Sequence, residues 1–514
     1  MKRPQLVSNN ALARLFQSAD QARRRLDFQQ CVEILERASR LDLGNPTLLL
    51  NLGHAYGKNF DFAKAESSFE RALRLSPKKT EALAAAAMRA HDFGNAIMAN
   101  QYYRLASEQK DATPDIFVAL AENSERLSRL DEAAQFAGRA LALKPNFSAA
   151  RLVQARLTRQ AGRLSEAEQI LRSLSNDTPR DIRVKAGYEL GSILDRQGRY
   201  DEAMAAFRDA KALLIPDAAP HIAAAHRVRG QLKELRDNLK AETLHRWQAG
   251  SKELAPMHRL ALLCGHPRSG TTLLEQVLDS HPDIVSAEET TIFHDHAYPF
   301  LARNAPVDAN VLAVLDSAPP SILQPARTNY FRCMDAFLGD SIGTRLLVDK
   351  NPILTFLLIP FIRIFPETKL LIALRDPRDV VLSCFMQPLS LNQSAAAFLT
   401  LEGAVDDYAE LMAMYQTVAP LIPNERIEVR YEDMVSDLES VARRTLEFLG
   451  ASWDKRVLHF HEHAQKKLVR SPTYADVTRP VFKRAVGRWR NYERYLEPYL
   501  AKLAPFAKAF GYDV

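Results

Sequence analysis

Small residues return every 34 positions through the first two hundred residues, and no other feature limits the fold as tightly. Ala65, Phe69 and Ala72 precede Pro77. The same set recurs as Ala99, Tyr103 and Ala106, then as Ala133, Ala137 and Ala140 before Pro145, then as Ala167, Leu171 and Leu174 before Pro179. One period earlier it reads Cys31, Leu35 and Ala38, and after a slip of two residues it returns as Ala203, Phe207 and Ala210. A second mark, Leu52-Gly53, recurs as Ala86-Ala87, Leu120-Ala121 and Leu190-Gly191. A generic amphipathic bundle has no reason to keep one period, whereas stacked helical hairpins do. Small residues let two antiparallel helices approach, a larger residue one turn on fills the next groove, and proline stops the second helix.

This spacing resembles the tetratricopeptide repeat (TPR), with about six repeats over 10–216. What the resemblance implies is an interaction surface: the array presents a protein or peptide acceptor on its concave side, or it serves as a dimerisation arm in a homodimer. The residues do not choose between the two. Pro216 and Pro220 then break the pattern, and 217–256 reads as a connector in which His221–Ala249 forms one or two helices.

Composition removes several classes of function. The 514 residues are 47% hydrophobic and 25% charged, as in ordinary globular proteins, and the net charge of +6 is too dilute to call for nucleic acid or a membrane surface. Cys31, Cys264, Cys333 and Cys384 lie far apart, which predicts buried thiols rather than a disulfide framework or zinc site. No apolar segment follows Met1-Lys2-Arg3 and no run of 18 apolar residues occurs. The expectation is a soluble, cytoplasmic protein.

The chemistry lies in the second half. Arg259–Gly265 is a short apolar run ending in glycine, followed by His266-Pro267-Arg268-Ser269-Gly270-Thr271-Thr272 and then by the helical spacing of Leu273–Leu278. Strand, glycine-bounded loop and helix is the context a phosphate-cradling loop requires, with backbone N–H groups and a helix N-terminus facing the anion. Against the nucleotide P-loop pattern, Gly265, Gly270 and Thr272 fit, but Thr271 stands where a kinase or ATPase needs lysine. Arg268 is the cation within the loop, which suits a 5′-phosphate carrying one transferable group.

At these residues the chain resembles the sulfotransferases, and the stretch through Asp279-Ser280-His281-Pro282 to Glu288-Glu289-Thr290 is most similar to the tyrosylprotein sulfotransferases. The resemblance implies 3′-phosphoadenosine 5′-phosphosulfate (PAPS) as co-substrate, adenosine 3′,5′-bisphosphate as product, and Arg268, Ser269, Gly270, Thr271 and Thr272 as the 5′-phosphosulfate loop. A second strand, Lys369–Leu374, runs into Arg375-Asp376-Pro377-Arg378-Asp379 and on to Ser383. Carried over residue by residue, Arg375 and Ser383 hold the 3′-phosphate. Leu346–Pro352 reads as a strand end delivering Lys350, to which the resemblance gives the sulfuryl and leaving oxygens. Arg426–Asp433 reads as a further strand, with Tyr431 near the nucleotide. In the closing loop Ser471 would assist at the sulfuryl group and Arg488 would reach the 3′-phosphate, but about two extra residues near Tyr474–Val477 leave Arg479 and Lys483 open as replacements for Arg488.

The expected architecture is therefore α plus α/β: a helical solenoid, then a P-loop-like, three-layer α/β domain over 257–514 built on a parallel sheet. The expected reaction is in-line transfer of a sulfuryl group to an acceptor hydroxyl, protein tyrosine first, without a metal, because Arg268, Lys350 and the loop amides supply the positive charge. Glu289, 21 residues after Arg268, is the implied base, and Glu288 orients or solvates it. His294 and His296 are the alternatives if the base is histidine, as in small-molecule sulfotransferases. A carbohydrate, lipid or small phenol as acceptor, and a scaffold that binds nucleotide without catalysis, stay open.

Overall fold

The computed structural model describes residues 9–174, 178–256, 258–303, 305–306, 309–388, 391–465 and 484–513. Through residue 212 the chain forms six helical hairpins: Asn9–Arg24 with Phe28–Leu41, Pro46–Lys58 with Phe62–Leu75, Lys79–Asp92 with Ala96–Ser107, Pro114–Arg126 with Leu130–Leu143, Ser148–Gln160 with Leu164–Arg172, and Arg180–Arg196 with Tyr200–Ala212. Their shared period has a physical cause at each mark. A Cβ on Gly53 would lie 2.5 Å from the Phe69 ring, so glycine in the first helix admits the aromatic of the second. Gly191 and Phe207 repeat the arrangement at 2.6 Å. Phe69 also meets the rings of Phe93 and Tyr102 at 6.3 and 5.8 Å, which ties one hairpin to the next.

The turns carry a period of their own. Leu26, Phe60, Gly94, Ser128, Gly162 and Gly198 all take positive φ, from 56° to 83°. Directly after the first three, Asp27, Asp61 and Asn95 cap the second helix by accepting the N–H of Gln30, Lys64 and Met98.

Two compact units emerge. The first holds Met1–Leu157, His294–Arg303 and Thr328–Ser341, and the second holds Thr158–Phe293, Asn304–Arg327 and Ile342–Val514. In the first unit Arg303 pairs with Asp27 at 3.1 Å and Arg332 donates to the Asn59 carbonyl at 3.1 Å. These residues help line a cavity of about 580 Å³ together with Phe28 and His296.

The second unit is built on a five-stranded parallel sheet: β1 (Leu260–Gly265), β2 (Ile284–Glu288), β3 (Leu346–Lys350), β4 (Lys369–Leu374) and β5 (Arg426–Arg430), in spatial order β2-β3-β1-β4-β5. Every residue of β1 is buried, as a central parallel strand covered on both faces should be. The chain moves to one side of β1 for β2 and β3 and to the other for β4 and β5. The carboxyl ends of β1 and β4 therefore flank the point where connections diverge, the usual ligand crevice of an open α/β sheet. β5 is shorter than the sequence pattern predicts. It ends at Arg430, and Tyr431–Ser436 turns into a helix whose first turn holds Glu432 and Asp433, acids that suit a helix N-terminus.

Within the second unit, polar contacts tie the last hairpin to the residues around the sheet. Lys211, 3% exposed, donates to the Phe398 carbonyl and lies 4.8 Å from the Phe385 ring. Asp201 accepts from the Tyr495 hydroxyl at 3.0 Å and pairs with Arg494. The connector forms two helices, Ala219–Asn238 and Ala241–Gly250. All four cysteines are free and buried. Among the described residues no helix is long and apolar enough to cross a membrane.

Candidate active site

Arg268, Glu289, Lys350, Arg375 and Tyr431 lie at or just beyond the carboxyl ends of the strands. β1 ends at Gly265, whose φ is +142° and whose Cβ would meet the Ala373 carbonyl at 2.4 Å, so only glycine lets β1 and β4 close together here. Thr355 fixes the same residue twice, accepting its N–H at 2.8 Å and donating to its carbonyl at 2.7 Å. The chain then turns through Arg268, at φ +74°, and Gly270, at φ +95°, where a Cβ would strike the Tyr431 ring at 2.7 Å. Helix Thr271–Asp279 starts there, and Gly270 offers it no side-chain cap. Ser269, Thr271 and Thr272 are buried in this turn. The N–H groups of its first turn suit an anion.

The two anion motifs, more than a hundred residues apart in sequence, touch. Arg268 Nε donates to Ser383 Oγ at 3.0 Å, and Arg375 donates to the Arg268 carbonyl at 3.2 Å. Arg375, 7% exposed, lies 4.8 Å from the Tyr431 ring, donates to the Ala485 carbonyl and lies 3.7 Å from Asp379, while its buried Nε has no hydrogen-bond partner. Asp379 accepts the N–H groups of Gly487 and Trp489 at 2.7 and 2.8 Å. Burial raises its carboxyl above the usual range, against the pull of Arg375 and these two donors. Sequence reasoning gave Asp379 no role, although its place in the first turn of helix Pro377–Phe385, just after Arg375, was a usable signal.

Lys350 ends β3 with no exposure, and three carboxylates surround its Nζ: Glu289 at 2.8 Å, Glu288 at 3.3 Å and Glu275 at 3.3 Å. Burial alone would lower the lysine's pKa. The three carboxylates outweigh it and hold the ammonium charged well beyond neutral pH. Glu289 follows β2 with φ +47°, its N–H bonded to the Lys350 carbonyl at 2.7 Å and its side chain about a third exposed. Glu275, fully buried and bonded to Ser286 at 2.8 Å, had no sequence signal, because only the fold turns it toward Lys350.

Other predicted residues are placed differently. Arg488 is turned toward Asp195, with Nε at 3.2 Å from Oδ1 and the terminal nitrogen at 2.8 Å from Oδ2. Ser471, like Arg479 and Lys483, lies outside the described residues. His294 pairs with Asp295 at 2.7 Å, which raises its pKa. His296 stacks on Phe28 and meets Phe60 edge-on, at 5.1 Å each, and burial pushes it down to about 4. Behind the loop, His266 is wholly buried, 3.4 Å from Asp407 and 3.9 Å from Cys384. Burial works against its charge, but Asp407 and Cys384 prevail and raise it to about 10. Among the described residues no group of His, Cys, Asp or Glu is arranged to hold a metal ion.

Comparison with known proteins finds a sulfotransferase domain and tetratricopeptide repeats in this chain. Residues 261–455 match the sulfotransferase family, and residues 46–79, 126–189 and 184–213 match tetratricopeptide repeats. An uncharacterized protein of Aquifex aeolicus is 24% identical over 413 residues, 77% of this chain and 51% of its own, so the chain spans about half the length of that relative. Protein-tyrosine sulfotransferase 2 of Gallus gallus is 26% identical over 319 residues, 57% of this chain and 79% of its own. Among solved structures, the sulfotransferase domain of the Synechococcus PCC 7002 olefin synthase aligns at TM-score 0.39 and 20% identity, over 51% of this chain and 97% of that domain.

Proposed function

We propose that the sulfotransferase domain joined here to a tetratricopeptide array moves the sulfuryl group of PAPS to the hydroxyl of a protein tyrosine. The observation that carries this reading is the meeting of Arg268, Arg375 and Ser383 at the sheet edge, two guanidinium groups and a hydroxyl brought to one place from separate motifs. A buried Arg375 held by two backbone carbonyls and left with an orphaned N–H, beside a half-buried Arg268 on the Ser383 hydroxyl, suits a bisphosphorylated nucleotide. An ATP-type P-loop would carry a lysine where Thr271 stands.

In this mechanism the acceptor oxygen attacks sulfur as the bond to the bridging phosphate oxygen breaks. Negative charge gathers on that leaving oxygen, where Arg268, Lys350 and the loop N–H groups stabilise it. The acceptor proton passes to Glu289. Its partly exposed carboxylate can reach an incoming hydroxyl, and the Lys350 bond fixes its position. Tyrosine in a protein is favoured as acceptor by the name of the Gallus gallus relative and by repeats that suit protein partners.

Ligand choice tests the reading. Adenosine 3′,5′-bisphosphate should raise the melting temperature where ATP with magnesium does not, and label from PAPS should then appear on tyrosine of an added polypeptide. Stabilisation by ATP with magnesium alone defeats the nucleotide assignment. Label on sugar or lipid keeps the nucleotide and replaces the acceptor.

A further inference from the structure

Arg488, which the resemblance brings to the 3′-phosphate beside Arg375 and Ser383, does not stand alone in its loop. Its guanidinium grips Asp195 through two nitrogens, and the Tyr492 hydroxyl donates to the same carboxylate at 2.7 Å. Asp195 is 13% exposed at its side chain and belongs to helix Arg180–Arg196, the first helix of the last repeat hairpin. Tyr492 is fully buried, its ring 5.3 Å from that of Tyr200 in the partner helix. The backbone on either side of Arg488 is fastened to the nucleotide side: Gly487 and Trp489 donate to Asp379, and Arg375 donates to the Ala485 carbonyl. Arg488 therefore sits between two anchors, one in the repeat array and one beside Arg375.

We infer that Asp195 is a positioning residue for nucleotide recognition, so that the last repeat sets how strongly the enzyme prefers a 3′-phosphorylated nucleotide. The inference rests on the reading that Arg488 meets the 3′-phosphate. Its physical basis is preorganisation. A guanidinium held on one edge by a carboxylate keeps its remaining N–H groups aimed in one direction, and a long side chain fixed beforehand loses less freedom when the phosphate arrives. The partner also limits desolvation, since a half-buried arginine without a counter-ion is costly. Tyr492, kept protonated by burial and by the Asp195 charge, remains a donor and fixes the carboxylate in turn.

The test is the affinity ratio between adenosine 3′,5′-bisphosphate and adenosine 5′-phosphate, measured by calorimetry on the full chain. Arg488→Ala should lower that ratio by about thirtyfold, the scale of one charge-assisted phosphate contact. Asp195→Asn, nearly isosteric, should lower it by about tenfold and leave the 5′-phosphate affinity within about twofold, and the double variant should fall no further than Arg488→Ala alone. A ratio that stays the same or rises in Asp195→Asn while Arg488→Ala lowers it overturns the positioning role and leaves the nucleotide assignment standing. An unchanged ratio in Arg488→Ala overturns the positioning role together with the assignment of Arg488 to the 3′-phosphate, and leaves the nucleotide reading carried by Arg268, Arg375 and Ser383 standing. Should Asp195→Asn melt below the assay temperature, Tyr492→Phe decides. It keeps the ring packing and removes one of the two groups that orient Asp195, so the ratio should fall about threefold, and an unchanged ratio defeats the proposal.

Discussion

The hairpins of the first unit and the edge of the sheet bury different things. Between Ala19 and Val153 the core is alanine, leucine and aromatic residues set at a fixed interval, and most ion pairs lie toward solvent, such as Lys64 with Asp61. At the sheet edge the buried set includes Lys350, Glu275, Glu288, Arg375, Asp379 and His266. The first region is stabilised by removing apolar area from water. The second gives up part of that gain to keep charges dry, and each charge is tolerated because another group answers it. Under the proposed mechanism stability and chemistry draw on separate residues, and substitutions should affect one while sparing the other.

Glu289→Gln should show the largest effect of that kind. Turnover is expected to fall by roughly 10²–10⁴, the usual yield of a general base, with PAPS affinity retained because Lys350 keeps Glu275 and Glu288 as partners. A more acidic fluorinated phenol should recover part of the loss. Normal turnover would move the base to His294 or His296.

Phe69→Ala should do the reverse. Emptying the space beside Gly53 should cost about 3–5 kcal/mol in denaturant unfolding, while turnover per folded molecule stays the same. A comparable fall in turnover would show that the two regions are not separable. Arg268→Ala is expected to weaken PAPS binding by about 1.5–3 kcal/mol without moving the unfolding midpoint far. Calorimetry showing affinity within about twofold would remove Arg268 from the 5′-phosphate site.

The smallest net effect on the wild type comes from a pair of opposed pH dependences, which offset each other. His266 is raised to about 10, so its contribution is full below its unfolded value near 6.5 and is lost as pH rises toward 10. Lys211 is lowered to about 7 by burial, with Cys384 acting weakly the other way. The folded lysine sheds its proton first, so its cost is full below pH 7 and fades as pH rises to its unfolded value near 10.5. The stability margin of wild type over His266→Gln should shrink between pH 6.5 and 10, and that of Lys211→Met over wild type should shrink between 7 and 10.5. Melts across this range check both signs, and a margin that widens with pH refutes the assignment.

The parts of the molecule legible in sequence are those with a local cause. Ala65, Phe69 and Ala72 announce themselves because hairpin packing forces the same sizes at the same interval. Arg268, Lys350, Arg375 and Ser383 are legible because each lies in or beside a short motif that ends or follows a strand. Glu275 and Asp195 were not, since each gains its meaning from a partner far along the chain, Lys350 in one case and Arg488 in the other. The start of the helix at Tyr431 was missed for a different reason: alternating Ile427, Val429 and Tyr431 continue a strand pattern past the point where the backbone turns.

The turns between paired helices have one more consequence. Three of the six left-handed positions hold glycine, and three hold Leu26, Phe60 and Ser128. A side chain there costs about 1–2 kcal/mol relative to glycine. The solenoid therefore carries a reserve of thermal tolerance that its sequence leaves unclaimed. Leu26→Gly and Ser128→Gly would draw on it at sites far along the chain from Arg268 and Lys350. Such changes amount to a thermostat, a means of setting the temperature at which the protein survives independently of the rate at which it works.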